Sequence, residues 1–288
     1  MLLALSITQL ISVRKNSMSY QSIRVVPTTP HIGAEIYDID LTAPLSIPVV
    51  KELKQALAEF QVIFFRDQAI SFDNHMALAM LFGEIHNHVG PATESKPLTE
   101  HPGIRVLHFD KNSTKVAGED WHSDQTCAAM PPMGSILHIT QTAPNGGGAT
   151  LFGSMYAAYE ALSPLMKTYL EGLTATHDGR RVFGPDAPVN SHPIVVRHPQ
   201  TGRRLIFVNK AMTSHIDGLP RDESEAILNF LYAHCQKPEF HVRFQWRDNS
   251  IAFWDNRCTQ HKAIWDYYPN VRLGYRIQIK GVAAPAMG

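Results

Sequence analysis

Two histidines and an aspartate, one of the three standing far from the other two, constrain this chain more than any other feature. Trp121-His122-Ser123-Asp124 sets His122 and Asp124 two residues apart. His261 arrives only after residues 125–260, in Trp254-Asp255-Asn256-Arg257-Cys258-Thr259-Gln260-His261. Side chains at i and i+2 of a strand share one face, so the spacing predicts a strand from which His122 and Asp124 reach the same ion. Only a fold that closes on itself returns His261 to them. Two imidazoles and one carboxylate on one side of a metal leave the other side open, an arrangement that suits non-haem Fe(II) oxygenases. His-x-Asp alone is weak, because a chain with 15 histidines produces it by chance.

The 288 residues suffice for one large domain with a substantial core. Hydrophobic content of 44% and charged content of 18% are those of an ordinary globular chain. The formal net charge of zero argues against a nucleic-acid surface, so any bound anion must be caught by a few placed arginines. Cys127, Cys235 and Cys258 are odd in number and form no CxxC, which points to buried thiols in a reducing, cytoplasmic setting. The apolar start, Met1 through Val13, lacks a basic leader and a small-residue cleavage site and is too short to span a bilayer. Residues 1–20 therefore read as a disordered extension, and residues 21–288 as a single domain without a membrane partner.

Short strands are expected at Ile23–Val26, Ala34–Tyr37 and Val62–Phe65, and helices over Pro48–Phe60 and from a Ser71 cap to Gly83. The stretch Gly90–Gly103, rich in Pro, Thr and Gly, is expected to be a loop and a candidate substrate lid. Strands follow at Ile136–Gln141, Ala149–Phe152 and Leu205–Val208, and a second loop at Phe183–His192. Met155–Leu170 reads as a helix broken at Ser163-Pro164. Arg221–Cys235 reads as an amphipathic helix turning Ala226, Ile227, Phe230 and Leu231 inward. Glu239–Phe244, Ser250–Trp254 and Leu273–Ile279 complete a strand-rich final third. The pattern predicts a mainly β fold, an antiparallel sandwich or barrel with helices packed outside.

Val271-Arg272-Leu273-Gly274-Tyr275-Arg276-Ile277-Gln278-Ile279 places Arg272 and Arg276 on one face of a strand whose other face is apolar. Arginine forms a planar fork that grips a carboxylate or sulfonate through two parallel hydrogen bonds. With these residues the chain resembles the taurine dioxygenase family of Fe(II)- and 2-oxoglutarate-dependent enzymes, from about Ile23 to Val282. The resemblance rests on Gly83-Glu84-Ile85-His86, Trp121–Asp124, Gly147-Gly148-Ala149-Thr150, Phe207-Val208-Asn209, Lys237–Phe240, Trp254–Arg257 and the segment from His261 to Arg276.

That resemblance implies a double-stranded β-helix, or jelly roll, and a dimer or tetramer. It implies that His122, Asp124 and His261 hold Fe(II), while 2-oxoglutarate chelates the iron and its distal carboxylate meets Arg272 and Thr150. It further implies that Arg276 and His88 hold the anionic head of the prime substrate, with His86 the neighbouring alternative. With O2, such an enzyme would hydroxylate a C–H bond of a sulfonate or related anion, releasing succinate and CO2, and the hydroxylated product could fragment. Two positions depart from a taurine-specific pattern: Gly118 stands where an amine-binding Asn is expected, and Pro91 where a tyrosine is expected. An anion with a larger, less polar body fits better, with Phe183 and Met212 as candidate walls. Gly-Glu-Asp-Trp-His-Ser-Asp also resembles relatives that cleave aryloxyalkanoate ethers. A non-catalytic jelly-roll binder and a zinc hydrolase using the same three ligands are the competing readings.

Overall fold

The computed structural model describes residues 20–88 and 96–288. The expected extension over residues 1–20 therefore lies outside the described residues except for Tyr20, as do Pro91 and the start of the expected lid. In chain order the strands are β1 (Arg24–Pro27), β2 (Ala34–Tyr37), β3 (Val62–Phe65), β4 (Lys96–Pro97), β5 (Ile104–Phe109) and β6 (Gly134–Gln141). They continue with β7 (Thr150–Ser154), β8 (Thr174–Asp178), β9 (Val189–Pro193), β10 (Val195–Arg197), β11 (Arg204–Ile206) and β12 (Thr213–Ile216). The last are β13 (His241–Phe244), β14 (Ser250–Asp255), β15 (Thr259–Ala263), β16 (Arg272–Ile279) and β17 (Ala286–Met287). The helices are α1 (Ile47–Phe60), α2 (Phe72–Met80), α3 (Met155–Glu160), α4 (Pro164–Leu170), α5 (Arg180–Phe183) and α6 (Arg221–Cys235).

Eight strands form the main sheet in the order β1-β2-β3-β14-β6-β16-β5-β4, and β13-β7-β15 form the smaller sheet of the jelly roll. Alternation along the strands builds a core on each face of the main sheet. Ile63, Phe65, Ile251 and Phe253 turn outward under α1 and α2, where they meet Leu53, Leu57 and Leu78. Their neighbours Val62, Phe64, Ala252 and Trp254 turn inward against Phe152, Val242 and Phe244 of the smaller sheet. Phe64 and Phe244 stack at 4.0 Å across the two sheets. Each such fully buried aromatic contributes on the order of 1.5–3 kcal/mol. The two sheets are thereby clamped face to face.

The breaks expected from turn and cap residues are where they should be. Ser71 caps α2 with a reciprocal bond to Asn74, and Ser163-Pro164 separates α3 from α4. Other expectations need correction. The α2 helix ends at Met80, before Gly83. Lys96–Pro97, inside the expected lid, pairs with β5, and Val189–Pro193, overlapping the second expected loop, pairs with β8. In α6 the inward stripe is Ser224, Leu228, Leu231 and Cys235, while Phe230 is exposed and Ala226 faces out. The helix presents the face carrying small polar Ser224, whose hydroxyl accepts from Ile216 N–H, so packing rather than hydrophobicity set its rotation. The strands β5, β8 and β12 carry histidine, threonine and aspartate among their apolar residues and give no clean alternation.

Candidate active site

His122, Asp124 and His261 come together, all buried, with their ligand atoms within 4.8 Å of one another. The strand expected to carry His122 and Asp124 does not form. His122 instead makes an isolated bridge to His261 of β15, through His122 N–H to His261 O at 3.1 Å and the reverse bond at 2.7 Å. The chain then turns, and Gln125 adopts a left-handed backbone with φ of +48°. Asn256 fixes the turn by accepting from Asp124 N–H (2.6 Å) and donating to Asp124 O (2.9 Å). The residues between the ligand pair and the lone histidine thus return through Asn256 and β15 to close the site.

The three ligand atoms face each other without bonding each other. His122 Nε2 and His261 Nε2 lie 3.7 and 3.9 Å from Asp124 Oδ1, too far for hydrogen bonds. His122 Nδ1 donates to Asp120 O at 2.8 Å, which leaves Nε2 as the lone-pair nitrogen aimed inward. Gly118, with φ of +84°, permits this: a Cβ there would lie 3.0 Å from His122 Cε1. Burial alone would raise the Asp124 pKa. Arg276, the two imidazoles and the Ser135 hydroxyl outweigh it and hold the carboxyl well below the usual range. Burial drives His261 the other way, well below the usual imidazole value, so it is neutral and able to bind a cation. This donor set suits a divalent metal.

Two arginines of β16 line the same cavity, and neither is a solvated surface charge. Arg272 is 5% exposed, its Nε has no partner, and no carboxylate lies within salt-bridge distance of it among the described residues. Burial consequently pushes its pKa down. The buried Tyr267 hydroxyl also has no partner, and Thr150 Oγ accepts from Trp246 Nε1 at 3.0 Å, which frees its own proton to point elsewhere. A buried, unmatched guanidinium costs several kcal/mol unless an anion joins it. Among the described residues no carboxylate supplies that anion. Gly148, with φ of +81°, makes room, since a Cβ there would lie 3.0 Å from Arg272 Cδ.

Arg276 sits two strand steps further on, with Nη1 on Asp124 Oδ1 at 3.0 Å and Nε unpartnered. Directly across on β5 stands Arg105, in register with Arg276. His88 faces Phe183 edge-on at 5.4 Å with Nδ1 buried and unpartnered, and burial, reinforced by Arg276 and Arg105, lowers its pKa to about 4. His86, the alternative, turns its Nε2 toward Gln125 Oε1. The cavity has a volume of about 480 Å³ and includes all seven residues expected from the sequence. Phe183 and Met212 line it, as expected, together with Leu107, Phe109 and Val116. Sequence reasoning missed Tyr267 and Trp246, which carry no spacing signal. It also missed Ser135 and Gln278, whose signal was a polar residue inside an apolar strand.

The family model described as "Taurine catabolism dioxygenase TauD, TfdA family" matches residues 24–278. A taurine dioxygenase structure from Burkholderia xenovorans superposes with a TM-score of 0.81 at 36% identity, covering 91% of this chain and 90% of that one. An alkylsulfatase of Acinetobacter baylyi is 30% identical over 91% of this chain and 86% of its own length. The alpha-ketoglutarate-dependent 2,4-dichlorophenoxyacetate dioxygenase of Cupriavidus pinatubonensis is 30% identical over 84% of this chain and 92% of its own.

Proposed function

The chain belongs to the taurine catabolism dioxygenase TauD, TfdA family, and we propose on that footing how its residues divide the work of an Fe(II)- and 2-oxoglutarate-dependent dioxygenase. His122 Nε2, Asp124 Oδ1 and His261 Nε2 hold the iron. Arg272, with the Thr150 and Tyr267 hydroxyls, holds the distal carboxylate of 2-oxoglutarate. Arg276 and His88 hold the anionic head of the prime substrate. When bound, iron and 2-oxoglutarate together turn O2 into an oxidant that converts a substrate C–H bond to C–OH, with succinate and CO2 released. The protein's share is orientation and dryness. His122 keeps one tautomer through Asp120, Asn256 fixes the Asp124 backbone, and the apolar walls keep bulk water from the reacting carbon.

The observation that carries this reading is the buried Arg272, which has no carboxylate within salt-bridge distance among the described residues and shares its cavity with a two-histidine, one-carboxylate cluster whose members do not bond one another. The substrate is a small organic anion. We propose a sulfonate or sulfate ester with an alkyl or aryl body, because Leu107, Val116, Phe183 and Met212 give that body apolar walls. The same walls, with a 2,4-dichlorophenoxyacetate dioxygenase among the relatives, support an aryloxyalkanoate as the second reading. Three free, buried cysteines support a reducing, cytoplasmic location. Among the described residues no helix is long and apolar enough to cross a membrane. We take residues 21–288 as one catalytic domain that works as a homo-oligomer, a dimer or tetramer.

Anaerobic titration of the protein with Fe(II) and 2-oxoglutarate tests the reading. A weak visible charge-transfer band should appear and should shift when an alkyl sulfate or alkyl sulfonate is added. A shift with an aryloxyacetate alone would favour the second reading. No band from folded protein would reject the dioxygenase assignment of these residues.

A further inference from the structure

The two oxygens of Asp124 are held by different means. Oδ1 faces both imidazoles and Arg276, whereas Oδ2 accepts from Ser135 Oγ at 2.7 Å. Ser135 is itself held: Gln278 Nε2 donates to its oxygen at 3.4 Å, from the position directly opposite on the neighbouring strand. Gln125 Nε2 donates in turn to Gln278 Oε1, and His86 Nε2 meets Gln125 Oε1 at 3.4 Å. Every donor in this chain of four side chains points the same way, toward Asp124. Ser135, Gln278 and Gln125 are 0%, 4% and 1% exposed, so their polar groups have no water to fall back on.

A second observation supports a role beyond packing. Gln125 has a positive φ, a conformation that costs a non-glycine side chain and gathers at functional sites. Its amide is the link that joins Gln278 to His86. The His86 end is tied to the same strand, since His86 N–H donates to Gln278 O at 2.8 Å and Ile85 bridges Ile279.

We infer that His86, Gln125, Gln278 and Ser135 form a one-directional hydrogen-bond relay that keeps Asp124 a single-oxygen metal ligand and keeps the rest of the Arg276 guanidinium available to the substrate. The alternative it prevents is local. Arg276 Nη1 already reaches Oδ1, and an Asp124 freed from Ser135 would turn both oxygens into the guanidinium fork. That bidentate pair would withdraw the carboxylate from the metal and the arginine from the substrate together. The four are positioning residues, and His86 links them to the segment that carries His88.

The inference rests on Asp124 being a ligand, so its test separates the two. Mn(II) binding to the metal-free full chain is followed by the loss of the free-ion electron paramagnetic resonance signal, with the thermal midpoint measured alongside. Ser135→Ala should weaken Mn(II) roughly 10- to 100-fold, the range for partners of metal-ligating side chains. Ser135→Cys, with a weaker donor, should fall between wild type and Ser135→Ala. Gln278→Leu and Gln125→Leu should each weaken Mn(II) severalfold, and they carry the test if Ser135→Ala does not fold. Variants that bind Mn(II) as wild type does, whether or not their thermal midpoints drop, would overturn the relay. Asp124→Ala should not bind at all, and wild-type binding by that variant would show that the ligand reading has failed instead.

Discussion

Among the described residues, two buried clusters bring histidine and aspartate together, and they differ in what is left over. His198, Asp255 and Cys258 lie as close to one another as His122, Asp124 and His261 do. In the first cluster every valence is spent internally. His198 Nε2 donates to Asp255 Oδ2 at 3.0 Å, its Nδ1 accepts from Gln200 and Thr201 N–H, and Arg257 grips both Asp255 oxygens. In the second, both inward nitrogens stop short of the carboxylate and His261 Nδ1 has no partner. Proximity makes neither of them a metal site. Unspent lone pairs on the imidazoles distinguish the second.

The comparison breaks most sharply at the two aspartates. Asp124→Ala or His122→Ala should abolish metal binding and turnover, and measurable activity in either would sink the ligand assignment. Asp255→Ala should leave the half-buried Arg257 without its carboxylate and cost on the order of 3 kcal/mol of stability in chemical denaturation. The fraction that folds should still bind one metal ion per chain. Loss of metal from folded Asp255→Ala would show that the two clusters are not independent.

Next come the arginines, expected at about 2–5 kcal/mol each. Arg272→Ala should raise the 2-oxoglutarate requirement far more than the prime-substrate requirement, and Arg276→Ala the reverse. Steady-state kinetics with each substrate varied in turn would expose an exchanged assignment. The last effect is spread over several pH units and concerns buried imidazoles for which burial outweighs any neighbouring acid. Burial pushes His75 and His177 down to about 3. Their unfolded value is about 6.5, so below that pH the unfolded chain takes up protons that the folded chain refuses. Stability should then fall as pH drops from 6.5 toward 3, by up to about 1.4 kcal/mol per pH unit for each histidine. His75→Gln, which keeps a donor for Ile136 O, should flatten that slope, and an unchanged slope would remove His75 from the account.

Much of this was legible in the sequence because it depends on periodicity or on residue chemistry. Period-2 alternation in β16 placed Arg272 and Arg276 on one face, and the three residues that come together as the candidate ligand set were identifiable by type. The local geometry of the ligand pair was not legible. His-x-Asp suggested a strand, whereas His122 ends a bridge and Asp124 begins a turn that Asn256 holds from residues far along the chain. Nor did amphipathic counting fix the rotation of α6, since the face that packs includes Ser224 and Cys235. Ser135 and Gln278 show the general limit. A polar residue in an apolar strand reports that something needs it, but the partner emerges only when two strands are set in register.

The placement of Arg272, Gly274, Arg276 and Gln278 along one face of β16 also makes that strand a ruler. At about 3.3 Å per residue, the two arginines stand roughly 13 Å apart along the chain. That interval is graduated by the backbone rather than by side-chain packing, so substitutions in the cavity walls leave it intact. Deleting one residue between the arginines would turn Arg276 to the opposite face and erase the second mark. If the arginines hold the two anions as proposed, new substrates are therefore most readily reached by reshaping the walls around Val116, Phe183 and Met212 while the interval between Arg272 and Arg276 stays constant.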